Sequence, residues 1–106
     1  MAIIPETIKI GCITYTVALI KKKQLGDYWG RLDKIKQVVE ILHSLAPQRK
    51  AETLFHEVLH GAYELAGLNH IEEPSEEQVV NGLSYQLVQI LRDNPNLVAY
   101  VLEPEE

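Results

Sequence analysis

Two imidazoles and a carboxylate stand close together in the run Thr53-Leu54-Phe55-His56-Glu57-Val58-Leu59-His60, which contains the pattern His-Glu-x-x-His. Four positions are slightly more than one helical turn. In a helix, His56 and His60 therefore project from one face and can share one cation. Glu57 follows the first histidine, so its carboxylate flanks that face without being forced onto the ion. There it is placed to accept a proton from water. A Zn2+ ion at such a site lowers the pKa of water towards neutrality and polarises a substrate carbonyl. The chemistry this points to is peptide-bond hydrolysis, with His56 and His60 as metal ligands and Glu57 as general base. The competing reading is a buried helix that happens to carry two histidines on a polar stripe. It leaves unexplained why two rings and a carboxyl interrupt an otherwise apolar helix, where burying them unpaired is costly.

Zinc needs a third protein ligand and an open position for water. The spacing His-Glu-x-x-His-x-x-Gly-x-x-His would put that ligand at position 66, which is Ala66, so the compact metzincin arrangement is absent. The remaining candidates downstream are His70, Glu72, Glu73, Glu76 and Glu77. Glu77 is preferred, because Asn81 follows it one turn later on the same helical face. There Asn81 can accept the free N–H of a ligating imidazole and fix its orientation. Glu76 and the loop residues stay open as alternatives. The plainer reading of Glu76-Glu77 is favourable negative charge at a helix N-terminus.

The elements that must position these groups are readable from periodicity. From Pro47 to Ala66, Leu54, Val58 and Leu65 form one apolar stripe and Phe55, Leu59, Ala62 and Ala66 an adjacent one. This predicts a central helix, with Pro47 in its first turn and Gly67 at its end. After a loop from Gly67 to Pro74, Ser75-Glu76-Glu77-Gln78 reads as a capping box. It opens a second helix over Glu76 to Asp93, which Asn94-Pro95 stops. Asn96 to Leu102 is one more helical turn or an extended tail, and Glu103 to Glu106 a frayed acidic end. The first half reads as strands. Thr7 to Ile20 is extended with a tight turn at Gly11-Cys12, Gln24 to Asp27 is a loop, and Tyr28 to Asp33 and Gln37 to Leu42 are two further strands. The expected fold is one α+β domain over residues 1–106: a small, mainly antiparallel sheet packed on the His-Glu-x-x-His helix and a following glutamate helix.

With those residues in view, the chain resembles the gluzincins, metallopeptidases that join a His-Glu-x-x-His helix to a glutamate from a later helix. Its shortness, the sheet before the motif and the ending Leu91-Arg92-Asp93-Asn94-Pro95 look like the minimal gluzincins of bacteria and their phages. These are similar to the catalytic core of ImmA/IrrE-type metallopeptidases. The resemblance spans roughly Ile8 to Leu102. It rests on His56, Glu57 and His60, and on Glu77-x-x-Val80-Asn81, with Val where the pattern tends to Ala. It implies a zinc-dependent peptidase acting on a peptide or protein substrate. An edge strand, expected at Val38 to Leu42, would pair with that extended substrate.

Composition narrows the field further. The chain has 106 residues, 24% of them charged, and a formal net charge of −5. An acidic balance argues against nucleic acid as a partner. Lys21-Lys22-Lys23 reads as a solvated loop or strand end. A single Cys12 excludes an intrachain disulfide, and as a small apolar filler it is no nucleophile. Neither a signal peptide nor a membrane span is predicted, so a cytoplasmic protein is expected, with self-association left open. Tyr63, Tyr85, His43 and His70 are candidates for oxyanion stabilisation, packing being the plainer role for each. Tyr28 and Trp29 are expected in the core. Besides an active endopeptidase, the sequence admits a metal-stabilised binding or regulatory module without turnover. It also admits a latent enzyme covered by its tail from Asn96 onward, and a metal-free structural protein.

Overall fold

The computed structural model describes residues 1–105. Four strands are formed: β1 (Thr7–Ile10), β2 (Ile13–Ile20), β3 (Gly30–Asp33) and β4 (Val38–Leu42), in the spatial order β1-β2-β4-β3. Alternation explains why they make a one-faced sheet. The register pairs Ile8 with Tyr15, Val17 with Val39 and Leu32 with Val39. Ile8, Ile10, Tyr15, Val17, Leu32, Val39 and Ile41 thus line one face, while Lys9, Thr14, Thr16, Arg31 and Glu40 line the other. Gly11 makes the β1–β2 turn with φ +66°, a left-handed conformation that favours glycine.

The expected α+β class is the one observed, but the sheet is mixed. β1–β2 and β3–β4 are antiparallel, whereas β2 and β4 run parallel. The reason is the connection. Lys22–Leu25 is not a loop but a single helical turn, α1, anchored by buried Leu25. It carries the chain past the sheet, so that the β3–β4 hairpin returns with β4 beside β2. β4 is therefore interior and β3 is the edge, a correction to the expectation that Val38 to Leu42 would be the edge strand. The hairpin turn is set by Asp33, whose carboxylate accepts from the N–H groups of Ile35 at 3.1 Å and Lys36 at 3.0 Å. Those bonds hold the Asp33 carboxyl below its ordinary range.

The helical layer follows the sequence reading closely. α2 (Pro47–Leu65) starts on Pro47, which needs no N–H there, and ends before Gly67, at φ +74°. A short 3-10 turn occupies Leu68–His70. α3 (Glu76–Asp93) carries the Ser75/Gln78 capping box: Gln78 N–H donates to Ser75 Oγ at 3.1 Å and Ser75 N–H to Gln78 Oε1 at 2.9 Å. α4 (Pro95–Leu102) is two full turns rather than a tail, with Pro95 in its first turn. Leu54, Val58 and Ala62 of α2, Ile90 of α3, and Leu97 and Tyr100 of α4 join the sheet's inner face in one core. A fully buried Leu or Val side chain contributes about 1.5–3 kcal/mol. Pro104 forms a bridge with Ala2, and Glu105 N–H donates to Ala2 O at 2.8 Å, so the segment just before the C-terminus is paired rather than frayed. Glu106, the end of that expected frayed segment, lies outside the described residues.

Asn94 ties the layers together. Its Oδ1 accepts from Lys9 N–H at 2.8 Å, and its Nδ2 donates to Lys9 O at 2.7 Å and Ile90 O at 2.8 Å. The side-chain amide thus pairs with β1 as a neighbouring strand would, and it also satisfies a carbonyl in the last turn of α3. Asn94→Ala removes all three bonds at a site only 8% exposed. It is expected to cost about 2–4 kcal/mol of unfolding free energy, measured by urea denaturation.

Candidate metal centre

α2 packs its Leu54-Val58-Ala62 stripe on the sheet, and rotating about the helix by its 100° step brings Glu57 and then the histidines out of that contact. His56 and His60 are exposed, while Glu57 is only 7% exposed. The imidazoles converge: their Nε2 atoms are 3.1 Å apart and the rings meet edge-on at 74°. Without an ion, one ring's N–H donates to the other ring's bare nitrogen. With Zn–N bonds near 2.0–2.1 Å, two corners of a tetrahedron lie about 3.3 Å apart. The observed separation therefore suits two ligands of one zinc ion with little change.

Glu57 turns towards β3. Gly30 makes this approach feasible, since a Cβ there would lie 2.7 Å from Thr53 Cγ2 and 3.3 Å from Glu57 Oε2. Leu42 N–H donates to Trp29 O at 2.8 Å, and Gly30 lies opposite Ile41. Antiparallel alternation then turns the N–H and C=O groups of Arg31 towards β4 and those of Gly30 and Leu32 towards the free edge. The Leu32 N–H meets the Glu57 carboxylate there. Burial pushes the Glu57 carboxyl above its ordinary 4.5, against the opposing pull of His56, His60 and that N–H.

These groups line a cleft of about 660 Å³ between α2 and β3, together with Tyr28, Trp29 and Glu64. Tyr28 and Trp29 precede β3 and are 69% and 50% exposed, so they are not core residues as expected. Their position could have been suspected from Gly30, a small residue that ends an aromatic run just where a strand must pass close to something. The far end of the cleft carries an ion pair, Lys34 Nζ to Glu64 Oε2 at 2.9 Å. Tyr63, Tyr85, His43 and His70 do not line the cleft. Among the described residues none beyond Glu64 lines it either, and Leu97 and Tyr100 of α4 are in the core.

The third ligand is not brought in. Among the described residues, no group of three or more His, Cys, Asp or Glu side chains is gathered closely enough to hold a metal ion. Glu77 and Glu76 are exposed in the first turn of α3, and His70, Glu72 and Glu73 are exposed before it. The structure thus assembles His56, His60 and Glu57 and leaves Glu77 apart from them. No helix among the described residues is long and apolar enough to cross a membrane. Comparison with family models, with curated proteins and with solved structures finds no match.

Two outcomes test this geometry. Gly30→Ala is expected to destabilise by about 1–3 kcal/mol through overpacking, and Thr53→Ser in the same chain to recover part of that loss; a double-mutant cycle by chemical denaturation measures both. For Glu57, a folded pKa above the unfolded one contributes stability that is full below the unfolded value and lost as pH rises through the folded value. Metal-free Glu57→Gln should therefore melt above the metal-free wild type at pH 7, and the gain should vanish below pH 4.5, the ordinary value. Thermal melts across that range check the sign.

Proposed function

We propose that this chain is a zinc-dependent peptidase of the gluzincin type, in which His56 and His60 hold the metal and Glu57 is the general base. The observation that carries the reading is the convergence of the two Nε2 atoms to 3.1 Å beside a buried carboxylate. When bound, zinc supplies Lewis acidity to a carbonyl and acidity to water. The protein's own groups do the rest. The N–H and C=O of Gly30 and the C=O of Leu32 face the free edge, where they would hold an extended peptide as an added strand alongside the histidines. Glu57 takes the proton of the attacking water and passes it to the leaving amide nitrogen. The β3–α2 wall keeps most water away from that carboxyl.

Glu77 is our assignment for the third ligand on the sequence resemblance alone, and the start of α3 would have to shift to bring its carboxylate to the histidines. It sits in the first turn of a helix that packs on α2, and it makes none of the ion pairs seen among the described residues.

Elemental analysis after zinc-replete purification should find about one zinc per wild-type chain. Zinc should be lost in His60→Ala and weakened in Glu77→Ala more than in Glu76→Ala. Glu57→Gln should keep zinc and lose about 10²–10⁴ in peptide cleavage. Undiminished cleavage in Glu57→Gln would remove the mechanism. Stoichiometric zinc without cleavage of any peptide would favour the second reading, a metal-stabilised binding module.

A further inference from the structure

One long run of α3 carries no charge. Every residue from Gln78 to Leu91 is uncharged, in a chain of which 24% of residues are charged. The apolar residues of this run divide between two faces of the helix. Leu83, Leu87 and Ile90 pack on the core, and Gly82 lets the helix lie against Ala66, whose Cβ is 2.9 Å from where a Gly82 Cβ would stand. On the opposite face Val80, Tyr85, Val88 and Leu91 are exposed, Tyr85 by 78% and Val80 by 53%. Helix geometry sets Glu77, Asn81, Ser84 and Val88 along the middle of that face, with Val80 and Leu91 on one flank and Tyr85 and Arg92 on the other. A lone exposed apolar residue is ordinary. Four on one uncharged helix face mark a contact surface.

The charges that bracket the run say what fits there. Glu77 stands at one end and Arg92 at the other, both exposed, and neither takes part in an ion pair among the described residues. The midpoint between them falls between Ser84 and Tyr85. In a twofold pair of antiparallel helices centred there, each residue faces one on the second copy at the same distance from the centre. Glu77 then meets Arg92 of the second copy, and the symmetry makes this pair twice. Val80 lies against Leu91 of the second copy, and Ser84 at the centre lets the helices approach closely. A parallel pairing would set Glu77 on Glu77 and Arg92 on Arg92. Two copies of a chain with net charge −5 repel wherever their acidic surfaces meet. An uncharged face with opposite charges at its ends can be laid on itself without that cost. The run is about 21 Å long, so the pair buries on the order of 1,000 Å², the low end of specific interfaces.

We propose that the exposed face of α3 is a self-association surface whose occupant is a second copy of this chain, packed antiparallel about a twofold axis between Ser84 and Tyr85. The inference does not rest on the peptidase reading. It concerns the metal-free chain, in which Glu77 stands apart from the histidines. A Glu77 drawn to a metal ion would leave Arg92 of the second copy.

The test is analytical ultracentrifugation of the full-length chain in EDTA, from about 1 to about 500 μM. A reversible monomer–dimer equilibrium is expected, with Kd on the order of 10–100 μM. Val88→Asp alters an exposed side chain, and a thermal melt confirms that it folds. It should weaken association at least about tenfold. Glu77→Arg and Arg92→Glu should each weaken it, and an equimolar mixture of the two variants should associate about as well as the wild type, because each then meets its opposite charge at both ends. A monomer at every concentration overturns the proposal. So does a dimer unaffected by Val88→Asp, or a charge-variant mixture that fails to recover. A monomer that floats with phosphatidylcholine vesicles, with flotation lost in Val88→Asp, assigns the face to a lipid surface and likewise overturns the second copy as its occupant.

Discussion

The site depends on how closely β3 approaches α2. A strand and a helix touch at Gly30 because that residue has no Cβ, and any side chain there would meet Thr53 Cγ2 and the Glu57 carboxylate. That contact buries Glu57 against the Leu32 N–H and leaves a narrow cleft beside the histidines. The strand desolvates the carboxyl, so it resists ionising, although the two rings and the Leu32 N–H pull the other way. If the strand were displaced outwards, the histidines would still lie on their helix face, but they would no longer share a wall with a buried carboxylate and an open strand edge.

Sheet order makes that wall available. A sheet of three hairpin-linked antiparallel strands would have left the last strand at the edge. The single turn of α1 instead returns the chain so that β4 pairs with both β2 and β3. The strongest β-former run, Val38-Val39-Glu40-Ile41-Leu42, is thereby committed to the interior, where Val39 and Ile41 have no exposure. The edge falls to a short segment, Gly30-Arg31-Leu32-Asp33. Only one of its side chains, Leu32, packs inwards, so its backbone is freer to serve another purpose.

The legible parts of the sequence were those with a local cause. α2 and α3 were visible because apolar residues recur at helical spacing, and their ends because Pro47, Gly67 and Ser75 with Gln78 act within a few residues of themselves. The convergence of His56 and His60 follows from helix geometry alone. Strand order does not, since alternation at Ile13 to Leu19 specifies a buried face and not a neighbour. Edge position is therefore not written in that pattern. Asn94-Pro95 stops α3 because proline cannot continue a helix. The same proline can also begin one, and Asn94 spends its side chain on β1, a contact 85 positions away that no local pattern encodes. Trp29 was expected in the core because its type is usually buried. Its exposure depends on the tertiary fact that Gly30 meets Thr53. A third ligand cannot be read from spacing, because it would come from another helix across a loop whose path the sequence leaves free.

The two margins of the sheet are finished differently, and this bears on how the molecule behaves in a crowded solution. Along β1 the Asn94 amide occupies the hydrogen-bonding positions of Lys9, so another chain finds less to pair with. Along β3 the Leu32 N–H is taken by Glu57, and the groups of Gly30 stay open. An unprotected margin invites lateral stacking of identical chains, and here it is only four residues long and flanked by Arg31, Asp33, Lys34 and Lys36 on a chain of net charge −5. Brevity and charge thus guard against self-templating without closing the margin.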